Sequence, residues 1–156
     1  MAVFLNDKPV ATRVLNDALF CHRSPAATSR YRVRLGRIEE RQMSSGFWIG
    51  PAAGSTAAQR SAGGQTLPLT SRVLQLVARE PYRPAGEKLR LTHALIEDGR
   101  KLVVQSEIRD GMLFIDGPDA PVKVERGDYL TFKRSSESVT VLGLSPRRDW
   151  RNGCAG

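Results

Sequence analysis

Ser29–Leu35, Ser-Arg-Tyr-Arg-Val-Arg-Leu, is the stretch that decides the fold. Tyr31, Val33 and Leu35 alternate with Arg30, Arg32 and Arg34 in a strict period of two. That period sends successive side chains to opposite faces of a β-strand. One face goes to a core, the other to water or to an anion. Half-exposed antiparallel strands commonly carry a solvated polar face, which is the plainer account of the three arginines.

Upstream, residues 14–21 (Val-Leu-Asn-Asp-Ala-Leu-Phe-Cys) read as a strand interrupted by Asn16 and Asp17. A polar pair inside an apolar run needs partners, so it marks a bulge, a turn or a ligand-facing point. Downstream, residues 46–50 (Gly-Phe-Trp-Ile-Gly) form a short apolar strand stopped by Pro51. The composition then changes abruptly to small residues over 52–64. Ser55 or Thr56 is the expected N-cap there, residues 57–60 suit a helix, and Gly63-Gly64 suit its end.

After Pro68 the strand signals resume at residues 73–77, 89–95, 102–105, 112–115, 122–124, 129–132 and 139–144. Asp98-Gly99, Asp110-Gly111 and Asp116-Gly117 read as hairpin turns, because Gly accepts positive φ. The expected fold is mainly β: an antiparallel β-sandwich with one short helix after the Gly-Ser-Thr turn. Residues 1–145 are expected to form one domain and 146–156 a polar tail.

Composition agrees with this picture. The chain has 156 residues and 40% hydrophobic content, which suits one domain with a real core. Its 24 basic against 16 acidic side chains leave a net charge of +8, favouring anionic partners: nucleic acid, phosphorylated small molecules or acidic lipid. No run approaches the roughly 18 apolar residues of a membrane span. The N-terminus has no secretory pattern, and Cys21 and Cys154 give neither a disulfide framework nor a metal spacing, so a cytoplasmic setting is expected.

Several catalytic motifs are absent: no G-x-x-x-x-G-K-[ST], no G-x-G-x-x-G, no H-E-x-x-H and no G-x-S-x-G. His22 and His93 are isolated, which argues against a catalytic triad. The region around Gly54 is the candidate site. A helix N-terminus with free N–H groups and small neighbours can bind an anion, although a plain strand-to-helix turn has the same sequence.

Here a family resemblance enters. Gly-Ser-Thr-Ala-Ala-Gln-Arg-Ser-Ala-Gly-Gly at residues 54–64 resembles the Gly-Ser-Thr-Ala signature of NAD kinases. Val14-Leu15-Asn16-Asp17 is similar to that family's A-L-N-[ED] motif, and Ser45-Gly46-Phe47 to its G-D-G-[LI] strand entry. Phe114-Ile115-Asp116-Gly117 and Arg126-Gly127-Asp128 match its late turns. The segments Ser-Ser-Gly (44–46), Ala-Ala-Gly-Ser-Thr-Ala-Ala (52–58) and Val-Ala-Arg-Glu-Pro (77–81) resemble the divergent plant-type and bacterial branch of NAD(H) kinases.

The resemblance implies transfer of the γ-phosphoryl group of ATP to the adenosine-ribose 2′-hydroxyl of NAD(H), with a divalent metal such as Mg. It implies that Asn16 and Asp17 contact the dinucleotide and that Thr56, Ala57 and Ser61 line its adenosine and ribose. Gly54 and Ser55 would form the tight turn beside it, and Ser45 stands where most of the family has Asp. Ala58 stands where most have Tyr, which removes a stacking surface. The family's G-G-D-G-T motif, with its catalytic Asp, belongs to an N-terminal α/β domain, and no G-G-D occurs in this chain. Hence no catalytic residue and no metal ligand is assigned here, and the isolated chain is expected to be inactive. The partners implied are an N-terminal kinase half or further copies of the chain. Two alternatives remain: a small basic β domain that binds nucleic acid, or a non-catalytic assembly partner of a kinase chain. Ten aromatics, without an interleaved stacking platform, speak against the first.

Overall fold

The computed structural model describes residues 1–83, 85–86 and 88–140. Among the described residues, twelve strands form two antiparallel six-stranded sheets. In chain order they are β1 (Ala2–Leu5), β2 (Lys8–Ala11), β3 (Ala18–His22), β4 (Ser29–Leu35), β5 (Ile38–Ser44) and β6 (Phe47–Gly50). There follow β7 (Leu74–Ala78), β8 (His93–Ile96), β9 (Lys101–Ser106), β10 (Gly111–Ile115), β11 (Val122–Val124) and β12 (Tyr129–Lys133). The first sheet runs β2-β1-β12-β9-β4-β5 and the second β11-β10-β3-β6-β7-β8. Between β6 and β7 lie a 3-10 turn, Ala52–Thr56, and one four-residue helix, α1 (Ala58–Ser61). The antiparallel β architecture with a short helix after the Gly-Ser-Thr turn is as the sequence predicts.

The strand at Ser29–Leu35 behaves as its alternation requires. Ser29, Tyr31 and Val33 are buried while Arg30, Arg32 and Arg34 face out. Tyr31 and Phe132 from the first sheet meet Phe20 and Phe47 from the second, which places the aromatic core between the layers. Tyr31 stands edge-on to Phe20 at 5.9 Å and to Phe47 at 5.2 Å, and Phe47 edge-on to Phe132 at 5.9 Å. These are the geometries that ring quadrupoles favour. The buried Tyr31 hydroxyl is satisfied by Gln42 Oε1 at 3.2 Å and Ser44 Oγ at 2.9 Å.

Three expectations are corrected. Residues 14–17 are not strand: β3 starts at Ala18, and the Asn16-Asp17 pair is a turn that enters it. Asp98-Gly99 and Asp110-Gly111 are not hairpin turns. The first links β8 to β9 and the second β9 to β10, each pair lying in different sheets, so the chain crosses the sandwich at both points. A positive φ at Gly99 (79°) serves that crossing as readily as it would serve a hairpin. Only Asp116-Gly117 joins paired neighbours, β10 and β11.

Strands β1, β2 and β5 carry no clear alternation signal. Asn6 and Asp7, both at positive φ (49° and 62°), close the two-residue β1–β2 turn. Pro9 is tolerated because β2 is a sheet edge. The expected strand at 139–144 falls largely, and the tail at 146–156 wholly, outside the described residues.

Candidate functional site

The Asn16-Asp17 turn is positioned from a distance of about a hundred residues. The Asp116 carboxylate accepts N–H bonds from Leu15 (2.8 Å), Asn16 (2.7 Å) and Asp17 (3.2 Å). Asp116 N returns a bond to Asp17 O at 3.0 Å. Asp116 sits at φ 51°, the left-handed region that Asp tolerates better than most residues, and this turns its carboxylate onto the loop. Met1 and Val14 exchange backbone bonds of 2.8 and 2.9 Å at the other end of the same loop. Burial, and after it the Asp116 charge, raise the Asp17 carboxyl above its ordinary value.

Against this turn lies the end of β6. A Cβ added at Gly54 would meet Asn16 O at 1.7 Å, and one added at Gly50 would meet it at 2.3 Å. Glycine at these two positions therefore lets two backbones touch. Ser55 is fully buried; its hydroxyl donates to Ala52 O (2.7 Å) and accepts from Leu67 N (2.9 Å). This corrects the expected N-cap, since neither the 3-10 turn nor α1 has a side-chain cap. The hydroxyl is spent on tying the turn to the 62–73 connection. A helix of four residues also carries no useful dipole, so the anion site expected at its start loses its physical basis.

Thr56 is half-buried at the end of the turn, Ala57 is exposed, and Ser61 is exposed as the last residue of α1. Asn16, Asp17, Gly54, Ser55, Thr56 and Ala57 thus gather around one end of the β3–β6 pair. Ser61 lies one helical turn beyond. Ser45 is not brought there: it precedes the opposite end of β6, roughly 16 Å away along the strand. Its hydroxyl donates to Glu80 and its N–H to Arg79 O at 2.9 Å.

Sequence reasoning missed three contributors. Asp116 was read only as a turn residue. Gln59 is fully buried, its Oε1 accepting from Gln75 Nε2 at 3.0 Å. Gln75 Oε1 also takes Gln65 N (2.8 Å) and pairs with His93 Nε2 (2.9 Å), which gives that histidine a structural role. The third is an outer apolar row across three strands, Phe114, Leu19 and Trp48, set side by side by register. With Asp17, Gly117 and Pro118 this row lines an open cavity of about 340 Å³. Such a volume is at the small end for ligand pockets and suits one ring system with its sugar. The Arg79 guanidinium stands 6.0 Å from the Trp48 ring centre. Among the described residues, no three His, Cys, Asp or Glu side chains cluster to hold a metal.

Comparison with known proteins places this geometry. No family model matches the chain. A probable NADH kinase of Oryza sativa subsp. japonica is 33% identical over 148 residues, covering 91% of this chain and 46% of that protein. An NADH kinase of Arabidopsis thaliana is 36% identical over 99 residues, covering 64% of this chain and 31% of that protein. Among solved structures, an NAD kinase from Archaeoglobus fulgidus in complex with ATP superposes with a TM-score of 0.67 at 23% identity, over 86% of this chain and 50% of that one. Yeast NADH kinase complexed with NADH gives 0.72 at 14% identity, over 91% and 41%. The sandwich therefore has the fold found in this class of kinases. The chain belongs to the NAD kinase family, covering its C-terminal domain. It spans half or less of the length of the relatives it matches. No helix among the described residues is long and apolar enough to cross a membrane.

Proposed function

We infer that this chain is the NAD(H)-binding part of an ATP-dependent NAD+/NADH kinase, which phosphorylates the adenosine-ribose 2′-hydroxyl to give NADP(H). The observation that carries this reading is the packing of the Asn16-Asp17 turn on Gly50 and Gly54, locked by Asp116. Asn16 and Asp17 thereby meet the turn that ends in Thr56 at one end of the second sheet, and Asp17 also lines the cavity floored by Leu19, Trp48 and Phe114. Side chains of this kind satisfy sugar oxygens while the apolar row accepts a ring. Ala57 follows Thr56 directly and Ser61 ends α1, so the proposal assigns both to the adenosine and ribose side of the dinucleotide. The relatives are named as NADH kinases, and one solved neighbour holds NADH and another ATP, which supports the substrate and donor classes.

Phosphoryl transfer rests on positioning and on charge stabilisation by metal and cations. A divalent metal such as Mg would neutralise the donor phosphates when bound. No three-ligand set for it exists among the described residues, so no step of this chain is routed through it. The residues here bind and orient the dinucleotide; catalysis belongs with a G-G-D-G-T segment, which these 156 residues lack. The partner that this proposal requires is an N-terminal kinase half, acting with residues 1–145 as one binding domain.

Calorimetry of the 156-residue chain with NAD+ and with NADH tests the reading. Saturable binding is expected, weakened about tenfold in Asn16→Ala or Thr56→Val, the equivalent of about 1.4 kcal/mol. Phosphoryl transfer is expected only after an N-terminal half is supplied. Absence of NAD(H) binding even with that half overturns the proposal.

A further inference from the structure

The outer face of the first sheet collects uncompensated positive charge at one corner. Register sets Arg32 opposite Arg41, and Lys101 opposite Lys133. Like charges directly opposite each other destabilise a sheet. At the first pair Glu107 answers both, with 3.0 Å to Arg32 Nε and 2.6 Å to Arg41 Nε. The second pair has no such carboxylate among the described residues. The β4–β5 turn, Gly36-Arg37, and the 98–100 turn add two guanidinium groups at that end. A Cβ at Gly36 would stand 3.6 Å from Arg100 Nη1, so Arg100 lies across the β4–β5 turn.

The result is an open cavity of about 730 Å³ whose charged lining is Arg34, Arg37, Arg100 and Lys101, over Leu35 and Val103. None of its lining side chains is acidic. Nearby carboxylates are engaged elsewhere: Glu39, although paired in register with Arg34, makes its ion pair with Arg32 at 3.8 Å. Asp98 holds Arg72 at 2.8 Å and Arg134 at 3.3 Å. Arg34, Arg37, Arg100 and Lys101 have no ion-pair partner among the described residues.

We propose that this corner binds a compact oligophosphate anion, one carrying at least two phosphate groups, at a site separate from the dinucleotide surface. Three guanidinium forks and an ammonium around one concavity match several phosphate oxygens at once. No aromatic side chain lines the cavity, so it offers phosphates a partner and a base none. That favours a small oligophosphate over single-stranded nucleic acid. The site lies on the first sheet, whereas Asn16, Asp17 and Thr56 flank strands β3 and β6 of the second, so the proposal does not depend on the NAD(H) reading.

The test is calorimetry of the 156-residue chain with inorganic tripolyphosphate, pyrophosphate and orthophosphate, at low and high salt. One saturable site is expected, tightest for tripolyphosphate, weakest for orthophosphate, and weakened by salt. The Arg37→Gln/Arg100→Gln variant is expected to bind about tenfold more weakly or worse, through lost charge-assisted bonds. Its NAD(H) binding should not change. Tripolyphosphate should raise the thermal midpoint of the parent chain and leave that of the variant unmoved. Arg34→Gln/Lys101→Gln repeats the comparison from the strand side should the first variant fold poorly. Absence of saturable tripolyphosphate binding, binding undiminished in both variants, or capture of single-stranded RNA without tripolyphosphate binding overturns the proposal.

Discussion

Replacing Gly54 with alanine puts a methyl carbon where the Asn16 carbonyl already stands. The added Cβ would meet Asn16 O at 1.7 Å and Asn16 C at 2.4 Å, whereas real Cβ contacts essentially never fall under 3.0 Å. The two backbones must part by about 1.3 Å even to reach that limit, and further for ordinary contact. Neither side yields easily. Leu15 and Asn16 are held by Asp116 through bonds of 2.8 and 2.7 Å, and the Gly54 turn is tied to the 62–73 connection through Ser55. Overpacking of this kind costs about 1–3 kcal/mol, and loosening the Asp116 bonds at a solvent-facing loop adds about 1. The expected loss is about 3 kcal/mol, or roughly 6–12 °C in Tm for a domain of this size. Urea unfolding of Gly54→Ala, Asp116→Ala and the double variant measures it. Removing Asp116 frees the loop to retreat from the new methyl, so the double variant should be less destabilised than the sum of the singles, by about 1 kcal/mol. A loss under about 1 kcal/mol for Gly54→Ala, or strict additivity, refutes the reasoning.

Burial and the neighbouring Asp116 raise the Asp17 carboxyl above its ordinary 3.8, so its ionisation weighs on the folded state. That penalty is absent below 3.8 and develops as pH rises through the folded pKa. Asp17→Asn should therefore be more stable than the parent at neutral pH, with the gain vanishing in acid; thermal melts across pH would contradict this by showing a constant gain. At Glu107, burial opposes ionisation, but hydrogen bonds and charge from Arg41 and Arg32 outweigh it and hold the carboxyl below its ordinary 4.5. Its stabilisation is present above that value and is lost as pH falls through the folded pKa. Glu107→Gln should cost about 1 kcal/mol at neutral pH after solvent screening, and converge on the parent in acid. Tyr31→Phe strands Gln42 Oε1 in the core, while Ser44 Oγ keeps its bonds with Gly46, and should cost about 1–2 kcal/mol by urea unfolding; a neutral result would mean that Gln42 Oε1 finds another donor.

The sandwich was legible because period-two alternation is a local signal, and Ser29–Leu35 displays it residue by residue. Strand β5 was missed because its inward positions are polar too: Gln42 and Ser44 are buried on the Tyr31 hydroxyl, so Ile-Glu-Glu-Arg-Gln-Met-Ser shows no apolar alternation. Two of the Asp-Gly pairs misled: the positive φ of Gly99 marks a change of direction without saying which sheet the next strand joins, and Gly111 has no positive φ and simply begins β10. At the site, the motif positions near residues 16 and 54 were visible from the sequence, and their mutual contact was not. Asp116 acts across a hundred positions and Gln59 through a buried amide network, and neither leaves a mark in its own neighbourhood. Ser55 shows the reverse error: a hydroxyl that suits an N-cap was recruited by Leu67, twelve residues on.

The net charge of +8 is informative only once it is divided by place. Glu107 bridges Arg32 and Arg41 on the arginine face, and Asp98 bridges Arg72 and Arg134, each carboxylate offsetting one of its two positive charges. Arg147, Arg148 and Arg151 fall outside the described residues. Four side chains without an ion pair among the described residues, Arg34, Arg37, Arg100 and Lys101, meet in one concavity at the corner of the first sheet. A diffuse basic surface would attract any polyanion and discriminate little. A concave cluster without stacking side chains selects instead by phosphate density. The second sheet's outer face differs at its middle strands, where Leu19, Trp48 and Phe114 form an apolar row. The chain thus carries a charged cluster on one outer face and an apolar row on the other, and this division follows from register: Lys101 faces Lys133, while Leu19 faces Trp48 and Phe114.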